Sequence, residues 1–327
     1  MTSSSRALCA AAVLALLAGC GSSKSTSSAS PDPKVKVGVL IPGSISDEGY
    51  MQSAYEGVVR IKQQLAGQVE ISYIEKVQPA NYQQALVRFA STDQLVISIG
   101  GQTDADVRKV APKFPKVKFV EVGGPTTTLP NLAMYDPKQG EIAFLGGAYA
   151  ALSSKTGKVG FVAGVEIPPI VATAKQFAAG AKYARPDVTV LPPQYTGDFD
   201  DVAKAKQAVQ ADVSAGGDVF YQILNNGLQG MLQGAKETGT HVLGGPLVQP
   251  CGASPVFIGH TKSDIGAATE YAVKQYLAGT WKAEAKSFGL NSGTGASDIK
   301  LCGAAPGVSA KIAQIKADLT AGKITTG

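Results

Sequence analysis

The sequence predicts an α/β protein of two Rossmann-like lobes, each a parallel sheet covered by helices, and three observations predict it. From residue 35 onward, short runs rich in Val and Ile alternate with amphipathic helical stretches, the signature of βαβ units. The alternation starts afresh near Lys158, so a second lobe follows the first. The chain has 327 residues and 44% hydrophobic content, long for one domain and apolar enough for two buried cores.

The first unit organises the rest. Val35, Val37, Val39 and Ile41 alternate while Leu40 adds a second apolar face, which suits a strand buried on both sides of a parallel sheet. Pro42 and Gly43 stop it. Ala54, Val58, Ile61 and Leu65 recur at helical spacing, so residues 45–50 form the loop joining strand end to helix start. Such loops lie at the carboxyl edge of open α/β sheets, where ligands bind. This region offers Ser44, Ser46, Asp47 and Tyr50.

Strands at 69–74, 95–100 and 117–122, with helices at 81–90 and 105–113, extend the first lobe. Residues 130–137 read as an extended connector, followed by a helix carrying Ile142, Leu145 and Tyr149. The second lobe has strands at 158–164, 188–191 and 218–224 and helices at 171–183, 202–213 and 228–235, and runs on through His241-Val-Leu-Gly-Gly245. The Pro/Gly-rich passage 246–255 reads as a return crossing, after which strand 256–258 and a helix from Ile265 to Leu277 complete the first lobe. Ile312, Ile315 and Leu319 mark a final amphipathic helix. The expected division is 34–136 plus about 246–279 for the first lobe and 137–245 plus about 280–327 for the second. Two such lobes joined by several crossings make a clamshell whose cleft holds the ligand.

At the amino terminus, Arg6 precedes an apolar run, 7–18, too short to span a bilayer comfortably, which ends in Leu17-Ala-Gly-Cys20. This resembles a bacterial lipoprotein signal. The resemblance implies removal of residues 1–19 and acylation of Cys20, which anchors the protein in the lipid bilayer at the extracytoplasmic face of the cell membrane. An ordinary secretory signal with an incidental Cys is the alternative. Residues 20–33 are small, polar and aperiodic, and read as a flexible tether. Cys9 leaves with the signal, so Cys251 and Cys302 are the remaining pair in an oxidising compartment, expected to form a disulfide. Two free buried thiols are the other reading.

The formal net charge is +5, with basic residues scattered, which points away from a nucleic-acid partner. His241 and His260 lack the neighbouring ligands that a metal site needs. The glycines give neither a dinucleotide pattern nor a phosphate loop, and no Gly-X-Ser-X-Gly elbow or paired acid–base motif stands out. The expectation is therefore a binding protein without cofactor, rather than a secreted α/β enzyme.

Several stretches resemble the basic membrane protein family of ABC-transporter substrate-binding lipoproteins, which includes purine nucleoside receptors. Asp47-Glu-Gly-Tyr-Met-Gln-Ser-Ala-Tyr-Glu-Gly57 is similar to the family's Asp, two variable residues, Phe-Asn-Gln-Ser-Ala-Tyr-Glu-Gly. Leu129-Pro-Asn-Leu132, Gly140 to Gly147, Ser153-Ser-Lys-Thr-Gly-Lys-Val-Gly-Phe161 and Tyr195-Thr-Gly-Asp-Phe-Asp-Asp201 add to the likeness. The resemblance covers nearly all of the mature chain and implies the type I periplasmic-binding-protein clamshell, a small polar, nucleoside-like ligand and an ABC permease in the membrane as partner. A sensory lipoprotein that signals ligand occupancy to a membrane partner is the alternative.

The resemblance also implies a ligand set. Asp47 matches the carboxylate of the first loop, Tyr50 stands where the family has a base-stacking Phe, and Phe199 matches an aromatic of the second lobe. Two rings closing on a planar base contribute about 1–3 kcal/mol per stacked face. Met51 replaces the family's Asn, Gly123 stands where an Asp is usual, Asn225 and Asn226 replace a glycine pair, and the family's later Lys aligns with Thr261. From the residues alone Asp47 is equally a helix cap, and Asn225 and Asn226 are either caps or cleft-edge amides. Gln102, just past a strand end, carries the same two readings, and Glu166 reads more as a solvated or capping carboxylate.

Overall fold

The computed structural model describes residues 34–124 and 127–326. The expected signal segment 1–19, the tether 20–33 and the acylated Cys20 lie outside the described residues. The chain begins with β1 (Val35–Leu40), α1 (Tyr50–Gln64), β2 (Val69–Ile74), α2 (Tyr82–Ala90), β3 (Leu95–Ile99), α3 (Asp104–Val110), β4 (Lys118–Val122) and β5 (Leu132–Asp136). There follow α4 (Gln139–Ser153), β6 (Lys158–Ala163), α5 (Pro168–Ala184), the short strands β7 (Thr189–Val190) and β8 (Gln194–Tyr195), α6 (Val202–Ser214), β9 (Val219–Ile223), α7 (Leu228–Thr238), β10 (His241–Gly244) and β11 (Phe257–Ser263). α8 (Gly266–Leu277), β12 (Ala285–Ser287), β13 (Ser297–Leu301) and α9 (Pro306–Thr320) close the chain. Among the described residues, no helix is long and apolar enough to cross a membrane.

The first sheet runs β12-β5-β4-β3-β1-β2, parallel throughout. Both of its faces are covered, which is why its strands are nearly continuous apolar runs. Val37, Val39, Ile97 and Val120 meet α1 and α8 on one side. Leu40, Val96 and Phe119 meet α2 and α3 on the other. Each such side chain, fully removed from water, contributes about 1.5–3 kcal/mol. α1 and α8 approach so closely that a Cβ added to Gly57 would lie 2.5 Å from Gly266 Cα, and Arg60 braces the pair through Asp264, at 2.8 Å, and Glu270.

The second sheet runs β13-β11-β10-β9-β6-β7, with β8 also beside β6 and β13 antiparallel to β11. α4 buries ten consecutive residues, 142–151, because α5, α9 and the sheet surround it. It therefore lacks the polar stripe of a surface helix. Cys251 and Cys302 form a disulfide, Cα atoms 5.5 Å apart, which ties the β10–β11 connection to the end of β13.

Three sequence expectations change. Residues 132–136 are a sheet strand and not a bare connector, since Leu132 and Met134 enter one core and Ala133 and Tyr135 the other. Passage 246–255 stays within the second lobe, for the strand after it pairs with β10, Val242 beside Phe257. The lobe boundaries at 246 and 280 shift accordingly, with β11 in the second sheet and β12 in the first, Ala285 beside Met134. The chain crosses between lobes three times, between β5 and α4, β11 and α8, and β12 and β13.

Candidate functional site

A cleft with about 810 Å³ of empty space, its open mouth included, lies between the lobes. The first lobe brings Tyr50 and Met51 at the start of α1, Gly101 and Gln102 after β3, and Gly123 after β4. The second brings Ile167 and Ile170 around the start of α5, Phe199 before α6, and Leu224 and Asn225 after β9. Nearly all sit where strands end at their carboxyl edge, the position at which parallel α/β sheets expose their loops. The crossings add Gln139, Thr261 and Ser263, and among the described residues no Asp, Glu, Lys, Arg or His lines the cleft.

Asp47 does not reach this cleft. It is fully buried, and the backbone N–H groups of Gly49 (2.8 Å), Gln52 (3.0 Å) and Met51 (3.2 Å) donate to its carboxylate. It therefore satisfies donors at the start of α1, the capping reading of the residue. Burial raises its pKa, against the pull of those three donors, and Asp200 of the second lobe adds to the rise. Of the two asparagines, Asn225 is buried and lines the cleft, while Asn226 turns to Asp200, donating from both its backbone N–H and its Nδ2 at 3.1 Å. Glu166 is not among the lining residues, and Ser44 and Ser46 hydrogen-bond each other.

Tyr50 is the first residue of α1. Its hydroxyl donates to the Val122 carbonyl at 3.3 Å and stands directly over Gly123, whose φ is +94°. A Cβ at 123 would run into that hydroxyl. In this chain the phenol hydroxyl fills the space that any side chain at 123 would enter. Burial, with Asp136 and Glu121 nearby, raises the Tyr50 pKa and keeps the phenol neutral. Glu121 itself lies beneath α3, where burial and the neighbouring Asp104 push it up to about 10.

Phe199 rests on Gly164, and its carbonyl accepts from the N–H groups of Asn225 and Gly227, both at 3.0 Å. The aromatic and the amide of the second lobe are therefore held as one unit. Gln222 is anchored at both ends of its carboxamide: its Nε2 donates to the Gly245 carbonyl at 2.6 Å and its Oε1 accepts from the Leu224 N–H at 2.7 Å. It shapes the wall with its orientation fixed, one N–H and one oxygen lone pair being left over. Thr261 Oγ1 donates to the Gly244 carbonyl at 3.2 Å, and burial pushes the Tyr221 phenol to about 12.

The lobes touch at the mouth. Gln229 Nε2 of the second lobe donates to Glu48 Oε2 at 2.7 Å, and Glu48 adopts a left-handed backbone, φ 54°. Beside it, a Cβ on Gly49 would lie 2.7 Å from Asn225 Oδ1 and 3.1 Å from the Leu224 carbonyl oxygen. Glu48 and Gly49 thus bring the first lobe against the second at the mouth.

The sequence pattern of a family described as ABC transporter substrate-binding protein, PnrA-like, matches residues 34–294. Basic membrane protein A of Borreliella afzelii is 29% identical over 249 residues, 74% of this chain and 75% of that one. The ABC transporter nucleoside-binding protein BmpA of Lactococcus lactis subsp. cremoris is 28% identical over 235 residues, 69% of this chain and 66% of that one. Among solved structures, a solute-binding protein of an ABC transporter system from Aeropyrum pernix K1 has a TM-score of 0.78 at 22% identity, covering 90% of this chain and 94% of that one. A transcriptional activator of the comK gene from Bacillus halodurans has a TM-score of 0.74 at 19% identity, covering 89% of this chain and 100% of that one. Shape alone therefore does not separate transport from gene regulation. Shape gives the type I periplasmic-binding fold, and the sequence match decides the rest: the chain belongs to the PnrA-like family of ABC transporter substrate-binding proteins.

Proposed function

We propose that the protein is a lipid-anchored, extracytoplasmic solute receptor of an ABC importer that captures a small, nucleoside-like molecule by closure of its two lobes. The observation that carries this reading is that Tyr50 from one lobe and Phe199 from the other line the same cleft. A flat ligand held between them touches both lobes at once and so binds the closed form better than the open one, shifting the population towards it. The closed form then presents both lobes together to a membrane permease, with attachment supplied by acyl chains on Cys20. The name of the Lactococcus relative, a nucleoside-binding protein, supports the ligand class. Among the described residues no charged side chain, and so no acid–base pair, lines the cleft, which favours binding over turnover.

Thermal melting of the purified chain against nucleosides, sugars and amino acids tests the reading. A nucleoside at 100 times its Kd stabilises by about 2.7 kcal/mol, a rise of several degrees. No shift with any compound contradicts it. Metabolic labelling with a fatty acid, lost in Cys20→Ser, tests the anchor.

A further inference from the structure

Every free polar group facing the cleft is electrically neutral. The carboxamides of Gln102, Gln139 and Asn225 have no hydrogen-bond partner among the described residues, and the buried hydroxyl of Ser263 has none either. The acidic groups nearby are withdrawn. Asp47 is fully buried with three backbone donors on its carboxylate, and Glu121 lies under α3 beside Asp104. Asp47 already holds the N–H groups of Gly49, Met51 and Gln52, which leaves the Tyr50 N–H as the one donor at the start of α1 without a partner among the described residues, too little to hold an anion. Over Gly123 stands the Tyr50 hydroxyl, bound to the Val122 carbonyl.

We propose that this cleft selects an uncharged planar heterocycle, stacked on Tyr50 and Phe199 and read along its edge by carboxamides, and that it takes the free base about as well as the nucleoside while rejecting the nucleotide. The proposal rests on the capture reading above. A carboxamide sets a donor beside an acceptor, the complement of a lactam or amidine edge on a heterocycle. A phosphate brought into the closed cleft meets no cation, and an uncompensated buried charge is strongly disfavoured. A sugar's vicinal hydroxyls meet no carboxylate to accept from both, and face apolar walls such as Ile167, Ile170 and Leu224, which return nothing for the water they lose. The sugar is tolerated at the mouth and adds little.

Titration calorimetry of the full chain in detergent with adenine, hypoxanthine and uracil, their nucleosides and their monophosphates tests this. The expected result is that a base and its nucleoside bind within about ten-fold of each other and the monophosphate at least 100-fold more weakly. A nucleoside bound more than ten-fold tighter than its base, or a monophosphate within 100-fold of its nucleoside, overturns the proposal and leaves solute capture standing. If none of these compounds binds, the capture reading fails and this one with it. Gln102→Glu, an exposed change expected to leave unliganded melting unaltered, puts a carboxylate into the cleft and is expected to weaken the base at least ten-fold; an unchanged affinity contradicts the neutral-edge argument.

Discussion

The contact between Tyr50 and Gly123 gives a double-mutant cycle with a calculable outcome. Gly123→Asp restores the residue of the family pattern at a position whose φ is +94° and whose Cβ would run into the Tyr50 hydroxyl. A non-glycine residue held in such a backbone costs about 1–3 kcal/mol. Displacing Tyr50 removes its hydrogen bond to the Val122 carbonyl, worth about 1 kcal/mol. The single variant should therefore lose about 2–4 kcal/mol, which for chains of this size lowers the melting temperature by about 3–6 °C. Tyr50→Phe alone removes only the hydroxyl and should lower it by about 1–2 °C. In the double variant the collision is gone while the backbone strain remains, so the two changes should couple favourably by about 1 kcal/mol. Circular dichroism melting of the four proteins reads this directly. A Gly123→Asp protein that melts within 2 °C of wild type, or a double variant whose losses simply add, refutes the reasoning.

Other perturbations test separate parts of the structure. Asp47→Ala removes the acceptor for three backbone donors and should cost about 1–2 kcal/mol in denaturant unfolding, with a loss of ligand affinity no larger than the loss of loop order explains. Gly49→Ala places a Cβ against Asn225 and Leu224 of the opposite lobe, so ligand affinity should fall about ten-fold while unliganded melting stays put; equal effects on both would contradict closure at this contact. Asp212 is buried at 2% exposure, and burial raises its pKa from 3.8 to about 6. The folded state thus holds a proton that the unfolded state releases first: the group's stabilising contribution is complete below about pH 4 and is lost as pH rises through about 6. Asp212→Asn should leave stability unchanged at pH 4 and raise it by up to about 3 kcal/mol at pH 7.5, and a pH-independent difference would show the assignment wrong.

The strand-and-helix skeleton was readable because period-two and period-3.6 apolar patterns survive burial on one or two sheet faces, as in β1 and α1. β11 was read too short and in the wrong lobe because, beyond Phe257, its buried side chains are those of His260, Thr261 and Ser263, polar groups that no hydrophobic pattern flags, and because Pro246 to Pro255 reads like a crossing from composition alone. β12 is three residues long, too short for any periodicity to register. In the cleft, Tyr50, Met51, Gln102, Phe199 and Asn225 were legible, all at strand ends or helix starts. Asp47 had two readings, and only the position of the Gly49, Met51 and Gln52 amides chooses between them. Gln139 and Ser263 were missed since they lie where the chain passes between lobes, a property of topology that carries no local motif. Asn226 looked equivalent to Asn225, yet one residue of rotation along the turn aims it at Asp200.

The claim on which the account turns is that a solute is gripped between rings from opposite lobes. Calorimetric titration of the tightest-binding base or nucleoside into wild type and into Tyr50→Ala/Phe199→Ala measures it most directly. The account predicts one site per chain in wild type and an affinity at least about 30-fold weaker in the double variant, from about 1–3 kcal/mol per lost stacking face. An affinity unchanged by removing both rings would contradict it.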